Sequence, residues 1–209
     1  MAAKLPKIEI TPNGPLVVTG ITDFTNSRGQ NVAVTPVMYL CRCGGSSSKP
    51  FCDSTHALNG FSGERLSDPN KNRVRDYEGS GLTVHDNRFF CSHSGECTTR
   101  SPNVFSSDTK PWITPGAEEA ARLIATIEHC PSGALSYTRD GVLHRDLERA
   151  PAIRIEKNGP YCVVGGPELV SDLQPPSPEH YTLCRCGESK NKPFCDGSHW
   201  DAGFDDPKT

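Results

Sequence analysis

The stretch Cys41-Arg42-Cys43-Gly44-Gly45-Ser46-Ser47-Ser48-Lys49-Pro50-Phe51-Cys52-Asp53-Ser54-Thr55-His56 returns as Cys184-Arg185-Cys186-Gly187-Glu188-Ser189-Lys190-Asn191-Lys192-Pro193-Phe194-Cys195-Asp196-Gly197-Ser198-His199. Both read Cys-x-Cys-x8-Cys-x3-His. The likeness extends outward on both sides. Upstream, Ile8-Glu-Ile-Thr-Pro-Asn13-Gly14-Pro15-Leu-Val-Val18 pairs with Ile153-Arg-Ile-Glu-Lys-Asn158-Gly159-Pro160-Tyr-Cys-Val163-Val164, and downstream Gly60-Phe61 pairs with Gly203-Phe204. Self-similarity of this length marks two copies of one structural unit. Residues 1–66 and 150–209 are the copies, and 67–149 form a different unit set between them.

Each copy reads as β. Ile8/Ile10 and Ile153/Ile155 alternate apolar with polar, and the Asn-Gly that follows is a hairpin signal. Tyr39-Leu40 and Tyr181-Thr-Leu183 read as strands delivering the first cysteine of each box, while Asp53 and Asp196 are placed to cap a helical turn holding the His. About 60 residues with so few large apolar side chains form a marginal domain alone. The expectation is therefore a pseudo-twofold β-sandwich built from the two repeats, an internal pseudo-dimer within a monomer. The insert reads as a small α+β unit. Thr114-Pro115 opens a helix, Ala120, Leu123, Ile124 and Ile127 form its buried stripe, and Cys130-Pro131 ends it; Leu82–Val84 and Ala134–Tyr137 are strands beside it. The fold class is mainly β with an α+β insert.

Composition narrows the function. Among 209 residues only 34% are hydrophobic, with 18 Pro and 19 Gly, so elements are short and cores thin. A net charge of −3 offers no basic excess for a phosphate backbone, which argues against nucleic acid as a partner. No apolar run approaches the ~20 residues of a membrane span, and Met1–Pro6 has no apolar leader, so a soluble, cytoplasmic protein without a membrane partner is expected. No nucleophile elbow, phosphate loop or dinucleotide glycine motif appears, and no enzymatic activity is expected.

The 10 cysteines carry the chemistry. In a chain of this length without a leader, clustered Cys with nearby His reads as metal ligation rather than disulfides. A one-residue gap puts two thiolates on one turn, enough to hold one iron; the third Cys and the His can then close a second. Tetrahedral sulfur and nitrogen sites mean zinc or an iron–sulfur cluster, and structural zinc prefers a wider gap between paired Cys. A zinc-stabilised protein-interaction module is the alternative.

These boxes resemble the CDGSH iron–sulfur domain family, whose pattern is Cys-x-Cys-x2-(Ser/Thr)-x3-Pro-x-Cys-Asp-Gly-(Ser/Ala/Thr)-His. The second copy matches throughout, at Cys184, Cys186, Ser189, Pro193, Cys195, Asp196, Gly197, Ser198 and His199. The first matches at Cys41, Cys43, Ser46, Pro50, Cys52, Asp53, Thr55 and His56, but has Ser54 in place of the glycine. The resemblance implies one [2Fe–2S] cluster per box, held by Cys41, Cys43, Cys52 and His56 and by Cys184, Cys186, Cys195 and His199. It implies electron transfer or cluster transfer, with a redox partner protein or a cluster acceptor. Sites with two His ligands reach roughly −150 to +300 mV against about −400 mV for four-Cys ferredoxins, so one His is expected to fall between. An imidazole ligates only when neutral, and its ordinary pKa is ~6.5, so mild acid is expected to labilise both sites.

The insert offers a third site. Cys91-Ser-His93-Ser94-Gly-Glu-Cys97 has the frame of a bacterial ferredoxin ligand run with Ser94 at the central cysteine, and Cys130-Pro131 matches its end. Residues 74–140 resemble the divergent single-cluster ferredoxin family. That implies a [3Fe–4S] cluster on Cys91, Cys97 and Cys130, or a [4Fe–4S] cluster with a further ligand such as His93. Cys162, left over, reads as a small buried apolar residue. His85, His129, His144 and His180 read as surface, and Trp112 and Trp200 as packing, with Trp200 positioned to shield a cluster.

Overall fold

The computed structural model describes residues 6–207. Residues 1–5, most of the stretch without an apolar leader, lie outside them. In the first repeat the strands are β1 (Lys7–Ile10), β2 (Leu16–Thr19), β3 (Asp23–Thr25) and β4 (Val37–Leu40). The insert holds β5 (Arg75–Gly79), β6 (Leu82–Asp86), α1 (Glu96–Arg100), α2 (Ala120–Glu128), β7 (Leu135–Arg139) and β8 (Val142–His144). The second repeat holds β9 (Ala152–Ile155), β10 (Tyr161–Val164), β11 (Glu168–Val170), β12 (Tyr181–Leu183) and α3 (Ser198–Asp201).

The molecule is mainly β, and its repeats interlock. One sheet runs β11-β1-β2-β4 and the other β12-β10-β9-β3. Each repeat thus builds three strands of its own sheet and lends its third strand to the other. β11 joins β1 in parallel, Ile8 opposite Leu169, and β3 joins β9 in parallel, Phe24 opposite Ile153. The exchange is that of a strand-swapped dimer, achieved within one chain. It solves the thin-core problem: Ile8, Leu16, Val18, Met38 and Leu40 share one buried cluster with Ile153, Ile155, Tyr161, Val163 and Leu183. The Asn-Gly hairpins form as read, with Asn13 and Asn158 at φ 47° and 49°, the left-handed region that asparagine tolerates.

The insert has its own antiparallel sheet, β5-β6-β7-β8, and its own core of Leu82, Val84, Val104, Phe105, Ile113, Leu123, Ile127, Leu135 and Tyr137. The apolar stripe of α2 faces the core, with Leu123 and Ile127 buried and Ala120 and Ile124 half-buried, but its start is not as expected. Pro115–Ala117 makes a single 3-10 turn, Glu118 is extended at φ −145° and ψ 161°, and the helix begins at Ala120. The cause is that Glu118 turns inward, accepting from the Ser101 hydroxyl at 2.5 Å while its carbonyl accepts from Ser80 Oγ at 2.7 Å. Its side chain is therefore used for packing and not for the helix dipole. Phe90 and Ala134 of the insert reach into the core of the repeats. Among the described residues no helix is long and apolar enough to cross a membrane.

Candidate metal centres

The cysteine loops are short hairpins. β4 runs into Cys41, whose N–H donates to Pro50 O at 2.9 Å, and Cys52 N–H donates back to Tyr39 O at 2.8 Å. In the second box Cys184 N–H donates to Pro193 O at 2.8 Å and Cys195 N–H to Thr182 O at 3.1 Å. The motif serine ties each loop: Ser46 Oγ donates to Phe51 O and Ser189 Oγ to Phe194 O, both at 2.7 Å. The motif aspartate staples loop to His turn. Asp53 accepts from Ser47 N–H at 2.8 Å and Thr55 N–H at 3.1 Å, and Asp196 from Lys190 N–H at 2.8 Å and Ser198 N–H at 3.0 Å. The Thr55 hydroxyl, then these N–H groups, hold the Asp53 carboxyl well below its ordinary range. The aspartates thus cap their turns, from one residue before the N-cap position, which Ser54 and Gly197 occupy.

The donors stand in pairs. Cys41 Sγ and Cys43 Sγ are 3.7 Å apart, and Cys184 Sγ and Cys186 Sγ 3.8 Å. His56 Nδ1 lies 3.4 Å from Cys52 Sγ, and His199 Nδ1 3.4 Å from Cys195 Sγ. Among the described residues no three such side chains enclose a point for one metal ion. Two pairs per box, each able to chelate one metal, suit a dinuclear group with Nδ1 as the imidazole ligand. Burial pushes the Cys41 thiol up to about 11, so loading must release a proton. Cys184 is drawn down, first by its hydrogen bond with Cys186 and, against burial, by the Ser189 and Gly187 N–H groups and the Lys192 ammonium. Burial holds the His199 imidazole below its ordinary value, opposed by Asp196 and reinforced by Arg185 and His93, which favours the neutral ligating form.

The boxes touch. A Cβ on Gly44 would collide with the Cys186 carbonyl, and one on Gly187 would stand 2.7 Å from the Cys43 carbonyl, so only glycine lets the turns abut. Tyr161 of the second repeat, aligned with Leu16, donates its hydroxyl to Cys41 O at 2.8 Å and Pro50 O at 3.0 Å. Sequence reading missed this tie; the Leu-to-Tyr difference between the copies was its signal.

The insert leans on the second box. Its Phe90 ring packs edge-on to Phe194 at 5.0 Å, Asn191 Nδ2 donates to Phe89 O at 2.7 Å, and His93 Nδ1 meets Asp196 O at 3.0 Å. Trp200 Nε1 donates to His93 O at 3.1 Å, and its ring lies 4.9 Å from His199. All four donor residues of the second box are buried; in the first, only Cys41 is.

Cys91, Cys97 and Cys130 line one cavity of about 370 Å³ with Ser94, Arg88 and Trp112. Arg88 Nη1 donates to Cys91 Sγ at 3.4 Å while its guanidinium lies 3.6 Å over the Trp112 ring. Burial, then the charge of Cys130, raises the Cys97 thiol to about 11. His93 also borders this cavity, but its Nδ1 is engaged by Asp196 O, leaving Nε2 as its remaining donor atom. Cys162 is buried as read. His180 is not at the surface: it is buried, with Nδ1 3.0 Å from Ser177 Oγ and 2.8 Å from Glu179 Oε2.

Residues 13–57 and 158–200 both match the family model described as iron-binding zinc finger CDGSH type, and 77–140 match the model described as divergent 4Fe-4S mono-cluster. The chain belongs to the CDGSH family. In it, two CDGSH repeats flank a divergent 4Fe–4S insert, making an iron–sulfur binding protein. It is also 40% identical over 63 residues, 30% of this chain and 83% of the relative, to the uncharacterized protein YjdI of Escherichia coli (strain K12). The same figures hold for the uncharacterized protein YjdI of Escherichia coli O157:H7. No solved structure matches the chain significantly.

Proposed function

We propose that this CDGSH protein carries one [2Fe–2S] cluster in each box and serves as an electron or cluster carrier rather than an enzyme. The observation that carries the reading is the pairing of donors, two sulfurs 3.7 Å apart beside a separate sulfur–nitrogen pair at 3.4 Å, in each box within 0.1 Å of the other. Cys41 and Cys43, like Cys184 and Cys186, would hold one iron; Cys52 with His56, and Cys195 with His199, would hold the other. When bound, such a cluster supplies one-electron redox chemistry. The chain's own residues then position and insulate it. Backbone N–H groups of Ser54 and Glu188 point at Cys52 and Cys186 sulfurs at 3.4 Å, favouring thiolate. Gly44 and Gly187 keep the two boxes in contact, so a route between them crosses little protein. Cys91, Cys97 and Cys130 form the third site, and the insert's contact with α3 sets that site next to the second box. The partner is a redox protein or a cluster acceptor.

The test is iron, sulfide and zinc per chain with visible and electron paramagnetic resonance spectra, on protein purified without oxygen. Four irons and four sulfides fit two filled boxes, and seven or eight irons add a cluster in the insert. Zinc without sulfide would overturn the proposal in favour of a binding module.

A further inference from the structure

The two sheets of the repeats turn unlike outer faces to their surroundings. In each strand alternate residues enter the shared core and the others point away from it. Leu16, Val18, Met38 and Leu40 are in the core, which leaves Val17, Val37 and Tyr39 on the far side. Tyr161, Val163, Tyr181 and Leu183 likewise leave Cys162, His180 and Thr182. Register fixes the match: Tyr39 stands opposite Val17 on β2 as Thr182 stands opposite Cys162 on β10.

The insert covers the second of these faces. Its Gly133 turn lies so close that a Cβ there would stand 2.9 Å from the His180 carbonyl oxygen, and Ser177 Oγ donates to Asp146 Oδ1 at 2.8 Å. His180 and Thr182 are accordingly 3% and 1% exposed, whereas Val37 and Tyr39, in the matching places, are 44% and 54% exposed. The open copy is also the more apolar one, with Val and Tyr where the covered copy has His and Thr. Apolar side chains grouped on an open face mark an interaction surface. The contrast continues into the box. Phe194 is buried under the edge of the insert's Phe90, while its counterpart Phe51 is only half-buried.

The second copy shows what kind of cover this geometry accepts. We propose that the outer face of the first sheet is the docking surface for a separate ferredoxin-type iron–sulfur protein, seated there as the insert is seated on the second copy. Tyr39 is its anchor, a large side chain of the kind that dominates such interfaces. Phe51 is placed to take an aromatic edge as Phe194 takes Phe90. The face runs directly into the first box, since Cys52 N–H donates to Tyr39 O at 2.8 Å, so a docked partner meets the half-buried Cys43, Cys52 and His56. A second copy of this chain is the competing occupant, but its insert is already engaged by its own second box. That the partner carries a cluster rests on the iron–sulfur reading of the boxes and the insert; that the face binds a protein does not.

The experiment is calorimetric titration of the full chain with a bacterial single-cluster [4Fe–4S] ferredoxin. Sedimentation of the chain alone, and iron, sulfide and zinc counts, are made on the same sample. One-to-one binding is expected, weakened by roughly tenfold or more in Tyr39→Glu. It should be unchanged in Leu143→Glu, which alters an equally exposed apolar residue on β8 of the insert. Should Tyr39→Glu not fold, Val37→Asp on the same face should weaken binding in its place. Absence of binding to the wild type, or binding indifferent to changes on the face, overturns the proposal. So does a stable dimer that Tyr39→Glu dissociates, which would give the face to a second copy. Zinc without sulfide would overturn the cluster reading instead, with the titration still deciding the surface.

Discussion

The two boxes share a ligand pattern and differ in shelter. The first opens to solvent at Cys43, Cys52 and His56, its helical turn is formed over an exposed Ser54, and its buried Arg42 lacks a carboxylate partner. The second is closed by the insert, capped by Trp200 and locked by the Arg185–Asp206 pair. On the proposed reading, like ligand sets in unlike surroundings should make the first site release its metal faster than the second. Both surroundings trace to specific residues, so the contrast can be broken one residue at a time.

The largest effect is expected from the lock. Asp206→Ala leaves the buried Arg185 charge without its carboxylate and should cost about 3–5 kcal/mol in denaturant unfolding. Next comes acid. Glu179 ties the end of the insert to the second repeat, accepting from Arg149 Nη2 at 2.6 Å and from Gly165 N–H at 2.9 Å. Burial works to raise its carboxyl, but the Arg149 hydrogen bond, the Gly165 N–H and the nearby charges hold it down at about 2, against 4.5 ordinarily. A depressed carboxyl stabilises fully above its unfolded pKa, so stability should fall between about pH 4.5 and 2 by up to ~3 kcal/mol, and Glu179→Gln should flatten that fall.

A smaller effect tests the cover. His93→Ala removes the side-chain contact with Asp196 O while keeping the His93 carbonyl that accepts from Trp200 Nε1, an effect of about 1–2 kcal/mol. Metal loss from the second box to a chelator should then quicken by roughly tenfold, while the first box is unchanged. The smallest concerns the turn. Ser54 sits at φ 72°, ψ 6°, close to Gly197 at φ 89°, ψ −6°, a conformation that disfavours a side chain. Ser54→Gly should stabilise by about 1 kcal/mol, read as a higher melting temperature. The reverse change, Gly197→Ser, meets the His93 ring, whose Nδ1 would stand 2.8 Å from the new Cβ.

Much of this was readable in the chain. The repeat, the hairpins at Asn13 and Asn158, the strands entering Cys41 and Cys184 and the core stripe of α2 all follow from local patterns. The strand exchange does not, because β3 and β11 are three residues each and too short to show an alternation. The late start of α2 escaped because the inward turn of Glu118 depends on Ser80 and Ser101, distant in sequence. His180 escaped for the same reason, its partners including a glutamate that also binds Arg149. The unequal shelter of the boxes was invisible in the motif itself. It was present in the differences between copies, Ser54 against Gly197 and Gly63 against Asp206.

The most direct test is a chelator challenge of anaerobically purified protein, following visible absorbance with iron and sulfide counts. The account predicts that the two boxes give two well-separated phases, beside any from the insert, with the fast one absent from a Cys52→Ser variant and the slow one from Cys195→Ser. A single phase for both boxes, or zinc in place of iron and sulfide, would contradict it.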